Sequence, residues 1–421
     1  MGSNNAFFTF ASNKKLFLKQ MSENKTLRFL WRKNRLDSTE DTVNAKTTLP
    51  IPLAPRTRVY NDTRLRNNNT GETLLKLKQI FAYGKVLVGF YKEGAKNAWN
   101  NGLEQRRLVS SGFKVSDETD NAGNVKFTSI SNFNKMVSQM AQTIYMSKVE
   151  NDIFNRSIDT GIVRNDVPKK SIDTGLFNLL RSQFQLLKRT PKDFYRLPLF
   201  LVVLSIFFEM TPIVCYAIPE IACETCLLPT FLPRVWNDKA RTSLLSAKKD
   251  CGQEEKVKLS LQNAYSLAPE DARLLCKSLR LISRYVPVRM YPGALLRERL
   301  QRYYRYLMVD NYYLCGLNNE GKSNIWNLSQ QELLVACLER NLIVNLKEDL
   351  EKIEVIGNTS VNEIRALDYF TILRMRLLLF LVNFENRNIG YLLIAPFVEP
   401  SLDWATIFEW WKESEEKCSM R

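Results

Sequence analysis

The chain has 421 residues, 60 Lys plus Arg against 44 Asp plus Glu, a formal charge of +16, 45% hydrophobic residues and no histidine. This composition folds, and the length allows about two to three domains. Without histidine there can be no Ser-His-Asp triad, Cys-His dyad, imidazole metal ligand or histidine pH switch. With 16 glycines there is no dinucleotide fingerprint and no P-loop; Gly89 to Gly94 lacks the Lys-Ser/Thr that would have to follow.

Residues 1–36 carry Lys14, Lys15, Lys19, Lys25, Arg28, Arg32, Lys33 and Arg35 against the single acid Glu23, with Phe7, Phe8, Phe10, Phe17 and Leu18 interleaved. A basic, acid-poor, amphipathic start reads as a mitochondrial presequence. Its apolar runs are too broken for a secretory signal. Met1-Gly2 is a weak myristoylation signal, because position 6 is Ala6. Residues 37–70, polar and holding Pro50, Pro52 and Pro55, read as a linker.

Residues 71–190 are expected to form an amino-terminal helical region with a polar insert. Leu74, Leu77, Ile80, Phe81, Leu87 and Phe90 recur at helical spacing. Residues 110–132, rich in Ser, Asp and Asn, read as loop. The stretch Asp117–Val125 lacks the glycine and the closing glutamate of a calcium-binding EF-hand. Helices are expected again over 133–160 and 175–190.

Residues 197–218 are apolar apart from Glu209, long enough for the roughly 20-residue helix that crosses hydrocarbon. They are hydrophobic all round and preceded by Arg181, Lys188, Arg189, Lys192 and Arg196, so a transmembrane helix is expected here; a buried core helix is the alternative. A carboxylate at mid-bilayer costs roughly 2.5 kcal/mol or more. Glu209, with Pro212 freeing a backbone carbonyl nearby, is therefore a candidate ion or proton site. A hydrogen bond to a neighbouring helix is its structural alternative.

Residues 232–421 read as a helical domain. Arg280, Arg284, Arg289, Arg297, Arg299, Arg302 and Arg305 cluster with Tyr285, Tyr291, Tyr303, Tyr304 and Tyr306. Arginine suits phosphate, and tyrosine can stack on bases, so an RNA footprint is expected. Anionic lipid would see the same charge, and a solvated helix face is the plain alternative. Ser329 followed by Glu332 signals a helix start, and Asn341 fits its left-handed end. Residues 361–384 read as a further helix. Trp404, Trp410 and Trp411 read as core closure. Of the eight cysteines, only Cys223-Glu-Thr-Cys226 has metal or redox spacing, and nothing completes a zinc site. No cofactor, metal, enzyme chemistry or DNA partner is expected. The expected fold class is all-α with a single transmembrane helix.

The run Lys188-Arg189-Thr190-Pro191-Lys192-Asp193-Phe194-Tyr195-Arg196-Leu197-Pro198-Leu199-Phe200 resembles the motif that leads into the membrane in the LETM family. Its matching positions are Arg189, Thr190, Asp193, Arg196 and Pro198, then Glu209, Pro212, Pro219 and Leu228-Pro229-Thr230-Phe231. Leu296 to Leu300, Asp310, and Leu328 to Asn341 resemble that family's ribosome-binding domain. The likeness runs over roughly 74–108 and 175–345. Asn341 stands where the family has Gly, Glu220 to Cys226 is an insertion, and no EF-hand follows. The resemblance implies a short, divergent member: single-pass in the mitochondrial inner membrane, with a 14-3-3-like ribosome-binding domain in the matrix. It implies support of potassium/proton exchange and cation/volume homeostasis together with a matrix domain that binds the mitochondrial ribosome; the alternative is a membrane-anchored ribosome receptor for translation and protein insertion with no ion transport of its own. Lipid, partner membrane proteins or a second copy would be its further partners.

Overall fold

The computed structural model describes residues 7–24, 26–27, 40–67, 71–119, 125–159, 176–207, 210–236, 238–315, 325–350, 360–400, 403–404 and 406–410. The helices are α1 (Lys14–Glu23), α2 (Arg56–Arg66), α3 (Glu72–Ser111), α4 (Phe133–Asp159), α5 (Arg181–Phe207), α6 (Thr211–Ala217), α7 (Asp238–Lys248), α8 (Gln253–Leu261), α9 (Pro269–Ser278), α10 (Gly293–Leu314), α11 (Gln330–Glu339) and α12 (Ser360–Phe384). The fold is thus mostly helical, as the periodicity indicates. Two stretches depart from the expectation: Arg56–Arg66, inside the stretch read as linker, forms α2, and the other is a pair of strands. Within the stretch expected as loop, β1 (Phe113–Thr119) and β2 (Val125–Thr128) pair antiparallel. Alternation explains it: Phe113 and Val115 point into the main core, as strand spacing requires.

That core gathers α4, the first turns of α5, and α9 to α12. Leu296, Leu300, Tyr303, Leu307 and Leu314 line the inner face of α10, and Leu373, Leu377, Leu378 and Leu381 that of α12. The stretch read as a presequence packs here too. Phe10, Phe17, Met21 and Leu27 are buried, and Phe17 meets Trp410 with ring centroids 5.7 Å apart. Asn383 on α12 accepts from the Phe8 N–H at 2.7 Å and donates to its carbonyl at 2.9 Å. Trp404 packs on this core as well, while Trp411 lies outside the described residues. Within the stretch read as linker, Val43, Ala45, Thr48 and Leu49 are buried.

A second core lies where α3 and α5 cross. Ala95, Ala98 and Gly102 are small, so the helices come close. A Cβ at Gly102 would sit 2.4 Å from the Phe194 ring, and one at Gly94 only 2.7 Å from Cys226 Sγ. Tyr91 meets Phe200 and Trp99 meets Phe194, so the two helices run antiparallel. The first half of α3 and the end of α5 therefore project together.

Over the described residues the expected crossing helix is two helices rather than one. Helix α5 begins well upstream, at Arg181, and ends at Phe207; α6 starts afresh at Thr211, with Pro212 in its first turn. Pro has no N–H to give and suits a helix start, so it opens α6 rather than interrupting a span. Among the described residues no helix is long and apolar enough to cross a membrane. Glu209 lies outside the described residues. What the projection does show is an apolar exterior. Leu77, Phe81, Val202, Ile206, Ile213 and Tyr216 are all more than half exposed. Helix α2 packs on it, Tyr60 against Tyr83, and presents Arg56, Arg58, Arg64 and Arg66 to solvent.

Candidate functional site

Helix α5 reads as a stripe of polar residues in an apolar helix. Arg181, Gln185 and Arg189, each four apart, share one face, and all three are buried. Arg181 Nε donates to Asp310 Oδ1 at 2.8 Å, and Gln185 donates to the same oxygen at 2.7 Å. Arg340 reaches the other oxygen of Asp310 at 2.6 Å. Arg189 forks onto Glu332, with bonds of 2.7 and 3.0 Å, and also donates to Thr48. Burial alone would raise the carboxyl of Asp310, but Arg181 and Arg340 outweigh it and hold it well below the usual range. Glu332 is likewise held low against its burial, by Arg189 and Arg181. The network clamps α5 to α10 and α11.

Ser329 caps α11 by accepting from the Glu332 N–H, as its sequence signal indicates. The Glu332 side chain does not turn back to complete a capping box; it goes to the arginines. Asn341 ends the helix at φ 58°, the left-handed conformation that glycine favours and Asn tolerates.

One face further round α5 lie Thr190, Asp193 and Leu197, turned toward the insertion 220–226. Asp193 accepts from the backbone N–H groups of Glu224 and Thr225 at 2.8 and 3.4 Å. Burial, reinforced by the neighbouring Glu224 charge, pushes its carboxyl up to about 7. Arg196 reaches the Ala222 carbonyl at 3.5 Å. The Thr190 hydroxyl is buried without a hydrogen bond. Pro198 is exposed on the opposite side. The five motif residues thus share a helix, and four of them turn to the core or the insertion.

Between the network and the insertion opens a cavity of about 210 Å³. Lys188, Lys192, Arg189 and Arg280 line it with Glu224 and Glu339, and Leu49, Leu227, Leu232, Trp236, Leu281 and Val335 form apolar walls. Lys188 pairs with Glu339 at 2.6 Å and lies 3.3 Å from the Tyr306 ring centroid. Burial lowers its ammonium to about 8, although Glu339 pulls the other way. Glu224 faces both Lys192 at 3.2 Å and Arg280 at 3.5 Å; those cations hold it below the usual range against its burial.

The predicted arginine cluster divides. Arg280 enters the cavity. Arg284 pairs with Glu220 at 2.9 Å, and Arg299 ties down the loop by donating to the Leu281 carbonyl at 2.7 Å. Arg302 pairs with Glu298 on the outer face of α10. Arg289 is exposed, and Arg297 and Arg305 are half-buried. The stacking expectation needs correction: Tyr303 and Tyr306 are buried, because their spacing places them on the inner face of α10. Of the five only Tyr285 is more than half exposed, and its hydroxyl donates to Glu220. Sequence reasoning missed the acidic partners Asp310, Glu339 and Glu224. The signal for Asp310 was the Arg181-Gln185-Arg189 stripe, whose buried charges require an acid; Glu339 and Glu224 pair instead with Lys188 and with Lys192 and Arg280.

Fold and site together define a helical protein with a charged junction at its centre, a small cavity beside it, and an apolar projection flanked by a basic helix. The chain belongs to the pentamidine resistance factor domain family, whose model matches residues 43–316, about two thirds of its length. The match covers the projection, the cavity insertion and α10; Glu332, Glu339 and Arg340 lie beyond it. Neither the curated proteins nor the solved structures hold a match to this chain.

Proposed function

We propose that this is a mitochondrial inner-membrane protein that docks on lipid through its apolar projection and holds a ribosome against the membrane through its helical half. The projection carries the reading. Side chains such as Phe81, Ile206 and Ile213, exposed by 58% or more, gain about 1.5–3 kcal/mol each when fully buried. The exposed arginines of α2 add about 1 kcal/mol each at an anionic surface. Docking in one leaflet needs no continuous span. The amino-terminal address and the resemblance to the LETM family support the mitochondrial location, the matrix orientation and the 14-3-3-like ribosome-binding half. Arg289, Arg297, Arg302 and Arg305 are the groups proposed to meet ribosomal RNA, with the steep salt dependence of phosphate contacts. No catalysis is proposed.

Potassium/proton exchange is the second reading. It rests on Glu209, outside the described residues, and needs partner helices or further copies to build a pathway. A Glu209→Gln variant with normal potassium-driven swelling of mitochondria would remove it.

The anchoring reading is tested in isolated mitochondria carrying a tagged chain. Flotation on anionic vesicles and sedimentation with ribosomes at two salt concentrations are the readouts. Phe81→Asp with Ile206→Asp should abolish flotation but leave the fold intact. Arg297, Arg302 and Arg305 changed to Glu should release ribosomes. Unchanged flotation in the first variant would refute lipid docking, and unchanged sedimentation in the second would refute the ribosome contact.

A further inference from the structure

The cavity beside α5 is more than a packing gap, for three reasons. Its ion pairs are of two kinds. Behind it, each charge has a close partner: Lys188 with Glu339 at 2.6 Å and Arg189 with Glu332 at 2.7 Å. At its wall, Lys192 and Arg280 share the one carboxylate of Glu224 at 3.2 and 3.5 Å. Two cations with half an anion each leave a positive charge uncompensated at the wall.

The second reason is the backbone. Arg280 ends α9 at φ 58°, and the Leu281 N–H closes on the Cys276 carbonyl at 2.9 Å. This is the turn in which glycine is the usual residue. An arginine there is strained, and strained residues persist where they position a group for use. The third reason is shape and lining. Arg280 lies 4.8 Å from the Trp236 ring centroid, and Leu232 continues the apolar wall. A volume of about 210 Å³ is below the roughly 300–1,000 Å³ of sites for whole drug-sized molecules. It suits one compact anionic group with an apolar tail leaving along the wall.

We propose that this cavity binds a phosphate ester, with Lys192 and Arg280 on the phosphate, Glu224 displaced from between them, and Trp236 and Leu232 against its apolar part. A phospholipid headgroup and a soluble phosphate monoester share that chemistry. The two differ in whether the tail contributes. The site stands independently of the membrane-docking reading, since it uses no residue of the projection.

The test uses the full chain purified in mild detergent. Binding is read by titration calorimetry and by the shift in thermal midpoint, with short-chain phosphatidate, inorganic phosphate and short-chain phosphatidylcholine as probes. Arg280→Gly is the informative variant. It removes the guanidinium and relieves the positive φ, so the protein should be as stable as before or more so, while affinity for phosphatidate falls at least tenfold. Lys192→Gln should weaken binding in the same direction. Phosphatidate binding well above inorganic phosphate assigns the site to a lipid headgroup; equal binding of the two assigns it to a soluble ester. The proposal is overturned if neither binds, if phosphatidylcholine binds as well as phosphatidate, or if Arg280→Gly binds like the wild type. Loss of stability in Arg280→Gly would mean that the arginine serves the fold instead.

Discussion

Asp310 is the hinge of the buried network, and its removal should be severe. Its two oxygens take bonds from Arg181, Gln185 and Arg340 at 2.8, 2.7 and 2.6 Å, and Arg181, Arg340 and Asp310 are each fully buried. Asp310→Ala leaves two guanidinium groups in the interior with only part of their partners: Arg181 keeps the Val43 carbonyl and, at 3.6 Å, the Glu332 carboxylate it shares with Arg189, and Arg340 keeps Asn311 and Ala336. Stripping one member from a buried ion pair costs about 3–5 kcal/mol. That is a large share of the roughly 5–15 kcal/mol that holds a typical domain. The control is Glu298→Ala, which removes an exposed pair one helical turn apart and should cost well under about 1 kcal/mol. Urea unfolding followed by tryptophan fluorescence measures both. A triple change of Asp310, Arg181 and Arg340 to Leu, Met and Met should recover most of the loss, because it is the unpaired charge that is costly. If Asp310→Ala falls within about 1 kcal/mol of the wild type, the network does not clamp α5 and the reasoning fails.

Three further outcomes follow from the same structure. The folded-state pKa of Asp193, about 7, lies above its ordinary value of 3.8, so the native state holds the extra proton between them; relative to Asp193→Asn, wild-type stability should fall by about 2–4 kcal/mol as pH rises from about 4 to 7, and parallel curves would refute this. Lys188 is lowered from 10.5 to about 8, so the unfolded state binds more protons in that interval; relative to Lys188→Met, stability should rise by about 1–3 kcal/mol as pH climbs through it, measured by the same unfolding curves. Gly89 and Gly94 both lie in α3, yet a Cβ at Gly89 meets nothing within 4 Å whereas one at Gly94 meets the Thr225 carbonyl at 2.8 Å; Gly89→Ala should raise stability by up to about 1 kcal/mol and Gly94→Ala should lower it, and the same sign for both would contradict the close packing.

Helical periodicity showed most of the architecture in the sequence, because an apolar stripe at helical spacing has few alternatives. The cap at Ser329 and the left-handed Asn341 were legible for the same local reason. The pairing of β1 with β2 was not: its alternation is short and surrounded by polar residues. The extent of α5 was not legible either. Hydropathy marks the apolar run from Leu197 and periodicity a separate helix over 175–190, whereas one helix runs from Arg181 to Phe207, because Arg181 and Arg189, which look like a membrane flank, are neutralised by acids over a hundred residues away. That separation is also why the cavity could not be read from the chain. Its walls come from segments scattered between Leu49 and Glu339, and only the fold brings Glu224 between Lys192 and Arg280.

The docking of Phe8 against Asn383 gives the beginning of the chain a second meaning. If residues 1–36 are the mitochondrial address proposed above, import machinery would read them from the unfolded polypeptide, before any core exists. Once the chain has folded, Phe10, Phe17, Met21 and Leu27 of this stretch are part of its interior. A protease that trimmed the protein after position 36 would leave the Asn383 amide without either bond to Phe8 and would bare the faces of Tyr391 and Trp410 that Phe7 and Phe17 cover. Maturation would then not be a silent loss of a label. The order in which trimming and folding occur would then decide whether the last long helix keeps the cover that Phe8 gives it at Asn383 or is left with an open seam there.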